Sequence, residues 1–235
     1  YDYSSFIADF IPFDFGYSVA DIEQGPDGLV YLALDGTYPV FSNPERKGGG
    51  ILVIDIDNPL NAVSIDTSVL SYYTSSSSNR PYIVVKDLEF DREGNLWVAN
   101  AFSTNKNAPI HVKSPDGDWK SYGSSETQFK ISQSPISLSF DSWNRPWFGA
   151  FKAEEANLGT YPDGGIFGLT VEGKPYQPEN FLWESVLTNT TVWSIAFGKN
   201  NRLFYLTPTG LNYYDVVIGG DSFGQNLYSY FPNIS

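Results

Sequence analysis

The side chains in this sequence best placed to act together are four carboxylates in two matched pairs. Asp21 and Glu23 stand two apart in VADIEQ, and Asp87 and Glu89 two apart in VKDLEF. Alternate residues of an extended strand share a face. Each pair therefore lies opposite its apolar neighbours, Ile22 in one segment and Leu88 and Phe90 in the other. Oxygen ligands converging from two such strands are what Ca²⁺ requires. A carboxylate at a repeated position has a second use, accepting hydrogen bonds from the backbone of an adjacent strand. Buried with neither a cation nor a donor, it would be costly. The acidic turns DIDNP (55–59) and SPDGDW (114–119) also gather oxygens. The first is shorter than an EF-hand loop and lacks its closing Glu. Asn58-Pro59 and Asp116-Gly117 read equally as ordinary turn pairs.

Little else in the sequence assembles into a catalytic set. The single histidine, His111, sits in the apolar segment APIHVKS, where acid–base work competes with a structural role. No G-x-S-x-G turn exists to raise a serine nucleophile. With no Cys, disulfides, thiol chemistry and cysteine-held metals are excluded. Ligand recognition has better candidates in Trp143, Trp193 and Tyr205, because an aromatic face stacks on sugar rings while its polar edge hydrogen-bonds. Arg80, Lys86 and Arg145 would add positive charge to a chain of net charge −13. Fourteen Lys and Arg against 27 Asp and Glu leave no basic surface for phosphates, so nucleic acid is not an expected partner.

Both acidic pairs belong to a larger repeat. VADIEQGPDGLVYLA (19–33), VKDLEFDREGNLWVA (85–99), PISLSFDSWNRPWFGA (135–150) and VWSIAFGKNNRLFYL (192–206) align without a gap on Tyr31, Trp97, Trp147 and Phe204. Nine residues before these anchors stand Ile22, Leu88, Leu138 and Ile195. Three before stand Gly28, Gly94, Asn144 and Asn201, types that tolerate positive φ in a tight turn. Each copy reads as strand, turn, strand. Third strands are expected at 51–57, 108–114, 165–171 and 210–216, and outer strands at 68–73, 118–122, 180–187 and 226–231.

Four strands per unit in four units predict an all-β chain, a β-propeller of four four-stranded blades over 17–73, 82–122, 133–187 and 190–231. No separate domain boundary divides 1–235, and SYYTSSSSNR (71–80) is expected to be an inter-blade loop. The best helical candidate is KAEEANLG (152–159), short and placed where a loop insertion belongs, and no apolar run is long enough to span a membrane. Trp97, Trp147 and Phe204 are expected in the core between blades. The first strand of a propeller blade lines the central channel, so the four carboxylates are expected to converge there. Trp143, Trp193 and Tyr205 break the aromatic pattern. Four blades and no Met predict a fragment, or a processed chain, of a larger propeller whose open ends must be covered.

VVKDLEFDREGNLWVANAF (84–102) resembles the repeat of two-component-regulator propellers, an I-x-x-I-x-x-D-x-x-G-x-L-W-I-G-T-like unit, and the looser copies extend the resemblance over nearly the whole chain. In that family such propellers are periplasmic sensor domains that bind oligosaccharides. RLFYLTPTGLNYYD (202–215) is similar to surface propellers associated with type IX secretion in Bacteroidota. The resemblance implies a periplasmic or cell-surface recognition or scaffold module, non-catalytic, for an oligosaccharide or a protein partner. The alternative is a metal-dependent propeller lactonase, lyase or hydrolase with Asp21, Glu23, Asp87 and Glu89 around a channel ion, Ca²⁺ being the one cofactor in view.

Overall fold

A computed structural model describes residues 18–36, 48–74, 81–103, 108–123, 134–152, 164–219 and 222–226. The repeated segments fold as hairpins, because each carries an alternating apolar strand into a turn whose fourth residue has positive φ. Gly28 (82°), Gly94 (81°), Asn144 (64°) and Asn201 (59°) hold that position. Further strands extend each hairpin into an antiparallel four-stranded blade. Blade 1 comprises β1 (Ser18–Gln24), β2 (Val30–Asp35), β3 (Gly50–Ile54) and β4 (Val63–Ile65). A short pair, β5 (Tyr73–Thr74) and β6 (Pro81–Tyr82), follows it. Blade 2 holds β7 (Val84–Phe90), β8 (Leu96–Ala101), β9 (Ile110–Lys113) and β10 (Trp119–Tyr122). Blade 3 holds β11 (Pro135–Phe140), β12 (Pro146–Ala150), β13 (Gly165–Lys174) and β14 (Gln177–Thr188). Blade 4 holds β15 (Ser194–Phe197), β16 (Arg202–Thr207), β17 (Gly210–Gly219) and β18 (Ser222–Asn226). A single pairing of Asp35 with Val84 joins the sheets of blades 1 and 2.

Register is uniform from blade to blade. Glu23 pairs Tyr31, Glu89 pairs Trp97, Ser139 pairs Trp147 and Ala196 pairs Phe204. In the first three blades the ladder skips one residue of the first strand, at Ala20, Lys86 and Ile136. These are β-bulges, which free one side chain per blade from the in–out alternation.

The core lies between blades, where the anchor face of one sheet packs on the first-strand face of the next. Tyr31, Ala33 and Ile51 meet Val85, Leu88 and Val98 across the first seam. Trp97, Ile110 and Tyr122 meet Leu138, Phe148 and Trp183 across the second. Trp147 and Ile166 meet Ile195, Leu203 and Tyr205 across the third. Gly149 shows how close the sheets come. A Cβ there would stand 3.0 Å from Val192 Cγ1 and 3.2 Å from Ile195 Cγ2.

Several sequence expectations need correction. Phe204 keeps the anchor register but is 38% exposed, because no described sheet covers that face of blade 4. The outer strand of blade 1 is Val63–Ile65, not 68–73. Asp66 draws the intervening chain into a turn, its carboxylate accepting from Ser68 N and its carbonyl from Leu70 N, and Leu70 is driven into the first seam. The strand pairing β17 is Ser222–Asn226, and 227–231 lie outside the described residues, as do 153–159 of the helical candidate.

Candidate functional site

The first strands hold the acidic pairs, and the structure gives part of each pair a role in the fold. Asp21 Oδ2 accepts from Leu88 N of the next blade at 3.0 Å, and Asp87 Oδ2 from Leu138 N at 2.7 Å. In the third seam Ser137 Oγ accepts from Ile195 N at 3.0 Å. Ten residues before the anchor, each of blades 1 to 3 thus offers an oxygen to the backbone of its successor. The four carboxylates do come near one another. Burial raises the Asp87 carboxyl to about 8, with repulsion from Asp21 and Glu89 adding to it and the Leu138 N–H opposing. Burial likewise raises Glu89 to about 7, reinforced by Glu23 and Asp21. Glu23 is raised by burial and by Asp21. Among the described residues no three His, Asp or Glu side chains are set in a metal-holding group. Two of the four candidate oxygen donors already accept backbone N–H bonds, which leaves Glu23 and Glu89 freer to bind a cation.

At the turns a second set of bonds ties anchors to their hairpins. Asp91 accepts from Trp97 Nε1 (2.9 Å), Asn95 N (2.8 Å) and Glu93 N (3.0 Å). Asp141 accepts from Trp147 Nε1 (3.1 Å), Arg145 Nε (2.6 Å) and Trp143 N (2.9 Å). Blade 1 anchors on Tyr31, whose hydroxyl donates to Asp27 at 2.7 Å, while Gly25 takes the Asp register because a Cβ there would lie 2.7 Å from the Tyr31 ring. Blade 4 anchors on Phe204, which has no polar edge, and carries Gly198 at that position. Sequence reading missed this matching, although the covariation of Trp with Asp and of Phe with Gly was there to see.

Asn144 and Asn201 do more than accept the turn conformation. Asn144 Oδ1 accepts from Arg92 N of blade 2 at 3.0 Å and its amide donates to Glu93, while Asn201 Oδ1 accepts from Ser142 N of blade 3 at 2.7 Å. Across the first seam the same two registers hold Gly94 and Pro26, the one without a side-chain acceptor and the other without an N–H, and they pack together.

The turn ends of blades 2 and 3 enclose a groove of about 440 Å³. Trp143, Asn144, Arg145, Glu93 and Asp116 line it, and Lys174 and Tyr176 arrive from the tip of the long β13–β14 hairpin. Tyr122 OH fixes that hairpin by donating to Pro175 O at 2.5 Å. Trp143 is 48% exposed, and the Arg145 guanidinium lies 5.4 Å from its ring centre and 5.8 Å from that of Trp147. The Arg145–Asp141 ion pair, Nη2 to Oδ2 at 2.6 Å, holds the guanidinium between the two indoles. Lys174 Nζ stands 5.4 Å from the Tyr176 ring. The groove therefore combines a half-open indole, a phenol and charges of both signs.

The remaining candidates do not gather there. Lys86 and Trp193 lie at the opposite end of the first strands. Lys86 pairs with buried Asp35, and Trp193 packs at a tilt against Phe151 with ring centres 5.9 Å apart. Tyr205 is buried in the third seam, since it alternates with Phe204 and so faces blade 3, which leaves no ring face for a ligand. Arg80 lies outside the described residues. His111 is fully buried, donating from Nε2 to Asn100 Oδ1 (3.0 Å) and accepting at Nδ1 from Ser121 Oγ (2.8 Å). Asn100 Oδ1 also accepts from Ser71 N at 2.8 Å, so this network ties blade 2 to the segment leaving blade 1. The 55–59 and 114–119 turns close on themselves. Asp57 N donates to Asp55 Oδ1 and Asp118 N to Ser114 Oγ.

Four antiparallel blades packed face to face around first strands define a β-propeller. Solved structures share the fold. The Dos1 propeller aligns over 86% of this chain and 48% of its own, at 12% identity and a TM-score of 0.55. The extracellular domain of a proposed hybrid two-component system, BT3049 of B. thetaiotaomicron, aligns over 84% and 22%, at 15% identity and 0.52. PorZ, a surface component of the type IX secretion system of Porphyromonas gingivalis, aligns over 88% and 28%, at 13% identity and 0.50. A gluconolactonase structure matches at comparable likeness. This chain spans less than half the length of the first three. No protein-family model matches it, and no curated protein sequence does. Among the described residues no helix is long and apolar enough to cross a membrane.

Proposed function

We propose that this chain is part of an extracytoplasmic propeller that recognises an oligosaccharide in the groove between blades 2 and 3. The observation carrying this reading is Trp143. It occupies a turn position, stands half-exposed, and is backed by a guanidinium that Asp141 holds in place. An exposed indole offers an apolar platform for the C–H face of a sugar, while Glu93, Asp116, Asn144 and Lys174 can bond its hydroxyls. Likeness to extracellular sensor and secretion-associated propellers supports an extracytoplasmic setting. Screening the chain against an oligosaccharide array and titrating the hits by calorimetry tests it. Trp143→Ala is expected to weaken binding at least about tenfold, the loss of ~1.5 kcal/mol or more for an aromatic anchor. Binding indifferent to Trp143, or no binding at all, would sink the reading.

A metal-dependent hydrolytic reading is kept alive by one observation, the crowding of Asp21, Glu23, Asp87 and Glu89 in a partly desolvated place. A cation would relieve their repulsion, with Glu23 and Glu89 as its first ligands. Ca²⁺ that binds and is lost on Glu89→Gln, together with turnover of a lactone, would replace the recognition reading with this one.

A further inference from the structure

The groove at Trp143 is the middle one of three. In each blade the turn between the first two strands falls at one end of the array, and in an antiparallel sheet the turn between the third and fourth falls there too. Across the first seam, Pro26 and Tyr31 of blade 1 and Phe90, Lys113 and Pro115 of blade 2 line a groove of about 260 Å³ at that end. Across the third, Ser142 and Trp143 of blade 3 and Lys199, Asn200 and Asn201 of blade 4 line one of about 590 Å³. Neighbouring grooves meet at a shared residue, Pro115 for the first and the middle, Trp143 for the middle and the third. Bonds that cross the seams fix the row, from Arg92 N to Asn144 and from Ser142 N to Asn201, while Pro26 Cγ packs 3.3 Å from where a Gly94 Cβ would stand. Each groove also receives one lysine, Lys113, Lys174 or Lys199, and none of the three forms an ion pair with a carboxylate among the described residues.

Resting on sugar recognition at Trp143, we infer that the ligand is a linear, neutral oligosaccharide lying across all three seams, rather than a short one seated in the middle groove alone. Packed sheets stand about 10 Å apart, so the outer grooves are separated by roughly 20 Å, the span of several sugar units. The rings of Pro115 and Trp143, one at each junction, suit the repeating C–H faces of such a chain. Lys113, Lys174, Lys199 and Asn200 donate to its hydroxyls along the way, and a lysine that no carboxylate holds is available for that. Asp27, Glu93 and Asp116 line the first two grooves beside the lysines. Carboxylates there favour a neutral chain, whose hydroxyls both donate and accept, over an anionic polymer. Turns already fixed across the seams cost little to order on binding.

Calorimetric titration of the full chain with ladders from disaccharide to hexasaccharide, derived from cellulose, xylan, mannan and polygalacturonate, reads the dependence on length directly. Affinity for one of the neutral ladders is expected to rise at least about tenfold from disaccharide to hexasaccharide. Lys113→Ala and Lys199→Ala alter the two outer grooves, and each is expected to weaken the hexasaccharide about fivefold and the disaccharide less, with the melting point unchanged. Trp143→Ala is expected to weaken every length. A disaccharide that binds as tightly as the hexasaccharide, and still through Trp143, overturns the inference and leaves recognition in the middle groove standing. A length dependence that neither lysine variant alters does the same, as does tighter binding of the galacturonate ladder than of any neutral one. No binding of any ladder overturns the inference together with the recognition reading.

Discussion

Glu89 and Asp87 show what a repeated residue costs when its surroundings are dry. Burial and mutual repulsion hold their carboxyls at about 7 and about 8. An unfolded carboxyl ionises near 4. Between those limits the folded chain keeps protons that the unfolded chain has lost, so stability falls as pH rises. The contribution is fully present below the unfolded range and is lost as pH climbs through 7 and 8. Thermal melting is expected at a lower temperature at about pH 8.5 than at about pH 5, and Glu89→Gln should flatten that slope. An unchanged slope in the variant would assign the pH dependence elsewhere. At this scale the sequence was partly legible. The two-residue spacing placed both pairs on one strand face, and repetition pointed to backbone bonding as one of two uses. What it hid was the Asp91–Trp97 and Asp141–Trp147 bonding, visible only as covariation between a turn position and an anchor six residues on.

Hairpins, the next scale up, carry the register of the whole array. They were legible because a tight turn with one obligatory positive φ leaves an unbroken spacing in the sequence, and that spacing fixes the pairing. The third and fourth strands are looser. Val63–Ile65 is too short to show a period, so 68–73, with its buried Leu70, was the more apolar and misleading choice. The groove depends on Lys174 and Tyr176, at the tip of a β13–β14 hairpin that is longer than its counterparts β3–β4 and β9–β10. Asn144 separates two contributions to a turn. Asn144→Gly keeps the positive φ and loses the bonds to Arg92 N and Glu93, at a cost of ~1 kcal/mol. Asn144→Ala loses both, and should cost ~1 kcal/mol more because a Cβ disfavours that conformation. Equal losses in chemical denaturation would show that the turn bears no conformational cost.

For the molecule as a whole, stability is a chain of neighbour contacts. Blades 2 and 3 are packed on both faces, whereas blade 1 leaves much of its first strand exposed and blade 4 leaves Phe204, Leu206 and Leu211 half-exposed on one face. In such arrays the ends open before the middle. Hydrogen exchange is expected to be fastest in β1 and β16–β17 and slowest in β8 and β12. Uniform protection would mean that the array unfolds as one unit. The fold was readable at this scale because the repeat was. The exposure of Phe204 was not, since a residue's register says which face it takes and nothing of what lies opposite.

The matching of Pro26 with Gly94, Arg92 with Asn144 and Ser142 with Asn201 has one more consequence. The blades look like interchangeable parts, yet each junction has its own lock. Cutting out blade 2 would set Pro26 against Asn144, an acceptor facing a ring with no hydrogen to give. Repeating blade 3 would set Ser142 N–H before a second Asn144, which accepts it. Copying a late blade would therefore keep every turn bond, whereas losing blade 2 would leave one acceptor unmet.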